Sequence, residues 1–280
     1  MKSQKEKEKV NLLRQYQGTK AEQLMRLKQE WSGCRKCMLG DMREAEAPGI
    51  ATYYGDKVDV LFGDGNPDAD IVIVGEAPGE EETLHGIPFI GPSGKLLNQL
   101  LARTSGDPEI KKLLKEYNSE RRHTEQSTND FTVSMVEWRQ KNFFITNAVG
   151  CRPPENRTPI PPEVEACWDR LWNIIYIVDP VLIIACGNSA LAALSRKRVA
   201  KITKERGAVY DMTYEGRIGP VTYPVVPIFH PSYLIRKADW NAKNGDWEKT
   251  VRDVQNALSY VDQVRHRHYG EPIPNREPYI

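Results

Sequence analysis

Five short apolar runs, separated by longer amphipathic stretches, limit the fold of this chain more than any other feature. They are VDVLF (58–62), DIVIVG (70–75), NFFITNAV (142–149), VLIIACG (181–187) and YPVVPIFH (223–230). Three are continuous apolar runs, the pattern of strands covered on both faces. Helical periodicity fills the intervals at roughly 93–103, 161–178, 188–196 and 246–264. Strands alternating with helices predict an α/β fold, a three-layer α/β/α sandwich around a mainly parallel sheet. In such a sheet, ligands bind beyond the carboxyl ends of the strands. The loops after Val74, Ile145 and Phe229 are therefore where chemistry is expected.

Composition excludes little. The 280 residues carry a net charge of +1, so any nucleic-acid surface has to be local rather than a property of the whole chain. No run of about 18 apolar residues exists, and no membrane span is expected. The segment MKSQKEKEKVNLLRQY is charged and lacks an apolar signal core. A cytoplasmic protein is expected, with its five cysteines reduced, ligating or catalytic.

Residues 1–30 read as an N-terminal helical extension broken near Gly18, with Thr19 capping AEQLMRLKQEW. The main domain spans 31–265. Within it, 104–141 is polar, charged and long for a crossover, and is expected to be a partly helical insertion. Residues 266–280, rich in proline, read as an irregular tail.

Cys34 and Cys37 form a CxxC, Cys151 opens CRPPENRTP, and Cys167 lies in EACWDRL. A CxxC points two sulfurs to one side of a turn, and two more cysteines complete four ligands. Spacing favours a four-cysteine metal site, with zinc ahead of iron–sulfur. The alternative is a redox pair plus two buried thiols. Cys186, inside VLIIACG, is most simply a small core residue.

The loop after Val74, GEAPGEEETLHGIPFIGPSG, lacks the GxxxxGK[ST] of a phosphate cradle. It places a carboxylate, Glu76, and an aromatic, Phe89, close after one strand end. Asn147 ends FFITN, and His230 ends the run before Pro231, with Leu234 and Arg236 beyond it. A planar ring can stack on Phe89, pair its edge with Asn147 and hydrogen-bond His230. Those groups together describe a nucleobase pocket.

GEAPGEEE, GIPFIGPSGKLL, ITNAVGCRPPENRTP, the following EAC, HPSYLIR and the early CxxC make the sequence resemble a family-4 uracil-DNA glycosylase, the iron–sulfur branch of that superfamily. The resemblance covers roughly residues 31 to 236 and implies a central four-stranded parallel sheet between helices. It also implies that Cys34, Cys37, Cys151 and Cys167 hold a structural [4Fe–4S] cluster, which shifts the metal expectation from zinc to iron–sulfur. Several positions depart from the family pattern. Thr83 stands for a usual aspartate, Gly150 for a usual lysine, and CGNSA for an LGATA-like turn.

The resemblance further implies a monomeric enzyme acting on uracil flipped out of DNA. Phe89 would stack on the base, Asn147 would read its N3/O4 edge, and His230 would hydrogen-bond O2 of the departing anion. Glu76 would orient a water, with Glu80 or Glu82 as alternatives. Ala77 stands where the better-known branch of the superfamily has an acid. Leu234 would wedge into the emptied stack. Arg236, beside the histidine loop, and the basic run SRKRVAKITKER (195–206) would grip phosphates. Two other functions compete: a catalytically weak DNA-binding or replication-accessory protein, with 104–141 as a partner surface, and a glycosylase for another damaged or modified base.

Overall fold

The computed structural model describes residues 17–46, 59–119, 124–196, 201–216, 219–237, 242 and 244–269. Helices α1 (Lys20–Trp31) and α2 (Met38–Glu46) precede the short strand β1 (Asp64–Gly65) and the first core strand β2 (Ile71–Gly75). Then come α3 (Glu80–His85), α4 (Pro92–Thr104), α5 (Pro108–Ser119) and α6 (Glu125–Asn142). Strand β3 (Phe144–Asn147) leads through a 3-10 turn to α7 (Pro161–Ala166) and α8 (Trp168–Val178). Strand β4 (Leu182–Cys186), α9 (Gly187–Ser195) and α10 (Ile202–Glu205) follow. The antiparallel strands β5 (Tyr210–Gly216) and β6 (Gly219–Ile228), then α11 (Pro231–Lys237) and α12 (Asp246–Tyr269), complete the order.

The sheet order is β1-β3-β2-β4-β6-β5. The inner four strands, β3-β2-β4-β6, are parallel, and the two central ones, β2 and β4, are continuous apolar runs buried along their whole length. The expected four-stranded sheet is extended to six by antiparallel edges: β1 pairs with β3, and β5 with β6. Strand β5 escapes the sequence reading because its apolar residues alternate: Met212 and Tyr214 are buried, while Thr213 pairs with Thr222 on the exposed face. Register aligns Gly75 with Asn147 and Cys186 with Ile228. The four inner strands thus end along one rim, and β2 lies between β3 and β4, where the chain departs in opposite directions.

The run VDVLF is not a strand in its described part; Val58 lies outside the described residues. Val60, Leu61 and Phe62 are buried, but other partners satisfy their backbone. Leu61 N–H donates to the Gly150 carbonyl at 2.8 Å, and Thr146 Oγ1 donates to the Phe62 carbonyl at 2.8 Å. Buried Arg170 also donates to the Phe62 carbonyl. Side chains here replace a ladder.

Thr19 caps α1 in a reciprocal box with Glu22, as the sequence pattern predicts. Leu24, Leu27 and Trp31 face the core, and Lys20 Nζ donates to the Val178 carbonyl at 2.7 Å. The expected helix at 161–178 is broken at Cys167 into α7 and α8. Within 104–141, α5 and α6 pack on one another: Tyr117 and Phe131 stack at 4.4 Å, and Trp138 Nε1 donates to Asp107 at 2.8 Å. Residues 1–16 and 270–280, which hold most of the expected N-terminal extension and tail, lie outside the described residues.

Candidate active site

Glu76, Ala77, Phe89, Asn147 and His230 line one cavity of about 400 Å³ at the strand-end rim. That volume lies within the range of small-molecule sites. Glu76 follows β2, where backbone bonds tie it to the other wall: Ala148 N–H donates to the Gly75 carbonyl at 2.9 Å and Val149 N–H to that of Glu76 at 3.0 Å. Asn147 is the last residue of β3 and is 2% exposed. Its carbonyl accepts a 2.5 Å hydrogen bond from Arg170, which fixes the strand end.

The residue between these walls has to be glycine. A Cβ on Gly75 would lie 2.6 Å from the Phe89 ring and 2.3 Å from Asn147 Oδ1. The aromatic edge and the amide therefore meet above it. His230 stands on the third wall, its ring centroid 6.1 Å from that of Phe89 and tilted by 33°.

Burial, and secondarily the charge of Arg236, pulls the His230 imidazole down to about 4. The ring is neutral at pH 7. Ser232 N–H donates to Nδ1 at 3.1 Å, and Ser232 Oγ lies 2.8 Å from the same atom. An Nδ1 that accepts leaves the ring proton on Nε2. His230 is thus a neutral donor.

Glu76 is held by a residue that sequence reasoning missed. Ser189 Oγ, at the start of α9, donates to Glu76 Oε2 at 2.5 Å. The CGNSA turn was visible as a departure from the family pattern, but its contact depends on the pairing of β2 with β4. The two alternative acids are otherwise engaged. Glu82 accepts the backbone N–H groups of Gly79 at 3.1 Å, Ile90 at 3.0 Å and Gly91 at 2.8 Å. Glu80 pairs with Arg152 at 3.2 Å on the exposed rim.

One expectation needs correction. Leu234 is 1% exposed and packs in the core, because four residues past His230 is one turn into α11, on its inward face. It presents nothing to insert into a base stack; the exposed apolar residue of that helix is Ile235. In the basic run 195–206, Lys201 and Lys204 are exposed, while two arginines are engaged by neighbouring side chains. Arg196 lies over Trp168 at 4.5 Å, and Arg206 pairs with Asp253 at 2.7 Å. Residues 197–200 of the run lie outside the described residues. Arg236 is exposed on α11, and its charge reaches His230 without its side chain lining the cavity. Arg157, on the cavity rim, is tied to Glu163 at 2.6 and 2.9 Å.

All five cysteines are thiols, none in a disulfide. Cys186 is a core residue, its thiol pushed up to about 12 by burial. Cys34 and Cys37 lie between α1 and α2, Cys151 follows β3, and Cys167 separates α7 from α8; all four pack on the common core. Burial raises the Cys37 thiol, against backbone N–H bonds from Leu39 and Gly40, and the nearby Cys167 and Glu163 raise it further. Among the described residues, no three His, Cys, Asp or Glu side chains stand close enough to hold a metal ion.

The family model of the Uracil DNA glycosylase superfamily matches residues 62–255. The chain is 35% identical over 205 residues to the type-4 uracil-DNA glycosylase of Thermotoga maritima, covering 73% of this chain and 84% of the relative. It is 32% identical to that of Pyrobaculum aerophilum, covering 81% and 91%, and 30% identical to that of Archaeoglobus fulgidus, covering 74% and 80%.

Proposed function

The chain belongs to the uracil DNA glycosylase superfamily, and we propose that its rim cavity takes a uracil extruded from DNA and cleaves its N-glycosidic bond. The products are free uracil and an abasic site. One observation carries this reading: Glu76, Asn147 and His230, from the ends of three different strands, and Phe89, from the loop between α3 and α4, line a single cavity.

Extrusion costs a few kcal/mol and is least costly for a mispaired or single-stranded base. Phe89 supplies a stacking face. Asn147 has a donor and an acceptor for the O4 and N3–H edge of uracil; cytosine presents the reverse order and leaves a buried amide mispaired. As the bond to the sugar breaks, negative charge gathers on the base and positive charge on the sugar. Neutral His230 donates from Nε2 to O2 of the departing anion, the position where a fixed donor lowers the barrier. Glu76, with Oε2 held by Ser189, turns its other oxygen to the attacking water and faces the developing sugar cation. Water adds to the sugar carbon, its proton leaves to the carboxylate or solvent, and uracil departs with the bonding electron pair.

Cys34, Cys37, Cys151 and Cys167 are the residues that would hold a [4Fe–4S] cluster. Four soft thiolate donors suit it, and the N–H groups of Leu39 and Gly40 directed at Cys37 are of the kind that stabilise cluster thiolates. Its contribution there would be structural, tying together the three chain segments that carry these cysteines.

Purified protein incubated with uracil-, hypoxanthine- and thymine-mismatch oligonucleotides, followed by alkaline cleavage of abasic sites, tests the assignment. Strand breaks at uracil ahead of the other lesions are expected. Breaks only at another lesion would transfer the activity to that base.

A further inference from the structure

Phe89 carries its ring to Gly75 from a backbone conformation that residues with a side chain disfavour. Its φ is +55°, in the left-handed region. The group that holds it there lies fifty residues away, on the insertion helix α6. Arg139 is 1% exposed. One of its guanidinium nitrogens donates to the Phe89 carbonyl at 2.6 Å and to Asn98 Oδ1 at 3.1 Å; the other donates to the Pro88 carbonyl at 2.7 Å.

From the far side of the same loop, Glu82 accepts the N–H groups of Ile90 and Gly91. Two carbonyls and two amides around Phe89 are therefore held between a buried cation and a buried carboxylate. The first turn of α4 closes the remaining space, since a Cβ on Gly94 would collide with the Phe89 carbonyl. Burial pulls the Arg139 guanidinium down to about 10, while the charges of Asp64 and Glu82 oppose that fall. It stays charged at neutral pH. A planar fork can serve two neighbouring carbonyls at once, which a lysine ammonium on a single stem does not reproduce.

We propose that Arg139 is a positioning residue for base excision, fixing the Phe89 ring against which the extruded base stacks. The segment 104–141 is then part of the pocket's frame. This rests on reading Phe89 as the stacking face.

The test is a double-mutant cycle in single-turnover and steady-state kinetics on uracil-containing duplex: native protein, R139M, F89A and the double variant, with thermal melting of each. R139M is expected to lower kcat by about 10- to 100-fold with little change in KM, as small misplacements of a reacting group do. In the F89A background the same substitution should change kcat by less than about twofold, because the ring it positions is gone. R139K should lie on the impaired side despite keeping its charge. If R139M does not fold, the cycle run with R139K decides. Equal losses from the Arg139 substitution in both backgrounds, with F89A itself impaired, would overturn the positioning role and leave the stacking role standing. Near-native turnover by F89A would overturn both.

Discussion

Ser189 Oγ donates to Glu76 Oε2 across the junction of β2 and β4, at 2.5 Å. The two residues are 113 positions apart in the chain, and only the parallel pairing of their strands brings them together. The contact supports Glu76 as the acid proposed to face the sugar. Glu82 spends its oxygens on loop amides, and Glu80 turns to Arg152.

Removing that hydroxyl should free the Glu76 carboxylate to swing. S189A is expected to lower kcat by roughly 10- to 100-fold, the scale of one hydrogen bond to a charged group. KM should change little, and S189T should recover most of the loss. Combining S189A with E76Q should add little to E76Q alone; multiplied losses would separate the two residues.

His230 makes stability depend on pH with a definite sign. Its folded value near 4 lies below the ordinary 6.5, so between those values the unfolded chain binds a proton that the folded protein does not. The contribution is complete above about pH 6.5 and is lost as pH falls toward 4, amounting to about 2–3 kcal/mol. Urea midpoints measured at about pH 4.5 and pH 7 should therefore fall further in the native protein than in H230Q. Equal falls would remove the buried neutral imidazole from the explanation.

Glu82 braces the loop, accepting three backbone N–H groups. E82A leaves three loop N–H groups without their acceptor, and the expected loss of stability is about 2–4 kcal/mol. Per folded molecule, E82Q should stay more active than E76Q. An E82Q protein that melts like the native one but releases no uracil would move the water-orienting role to Glu82.

Cluster ligation has a visible signature. The native protein should be brown, with a broad visible absorbance band and iron bound, and C151S should lose both along with some thermal stability. A colourless native protein containing zinc would replace the cluster with a zinc site.

Much of the site was legible because strands place chemistry at their carboxyl ends. Glu76, Asn147 and His230 each follow or end an apolar run, and the rule for parallel sheets brings such positions together. What escaped depended on tertiary contact. Arg139 looks like one more charge in a polar insertion, and nothing local marks it as buried beneath the Phe89 loop. Ser189 acquires its role only when β4 pairs with β2. Leu234 was misread because a wedge reading ignores which face of α11 a residue takes one turn past His230. VDVLF failed as a strand because Arg170 and Thr146 satisfy its carbonyls in place of a partner strand.

Release of free uracil by N147A and H230A, measured beside native protein on one uracil-containing duplex with binding followed in parallel, bears hardest on the pocket. Both variants are expected to retain DNA binding while losing at least about a hundredfold in base release, the scale of a lost transition-state donor. Near-native release by both, or binding without any release by the native protein, would contradict it.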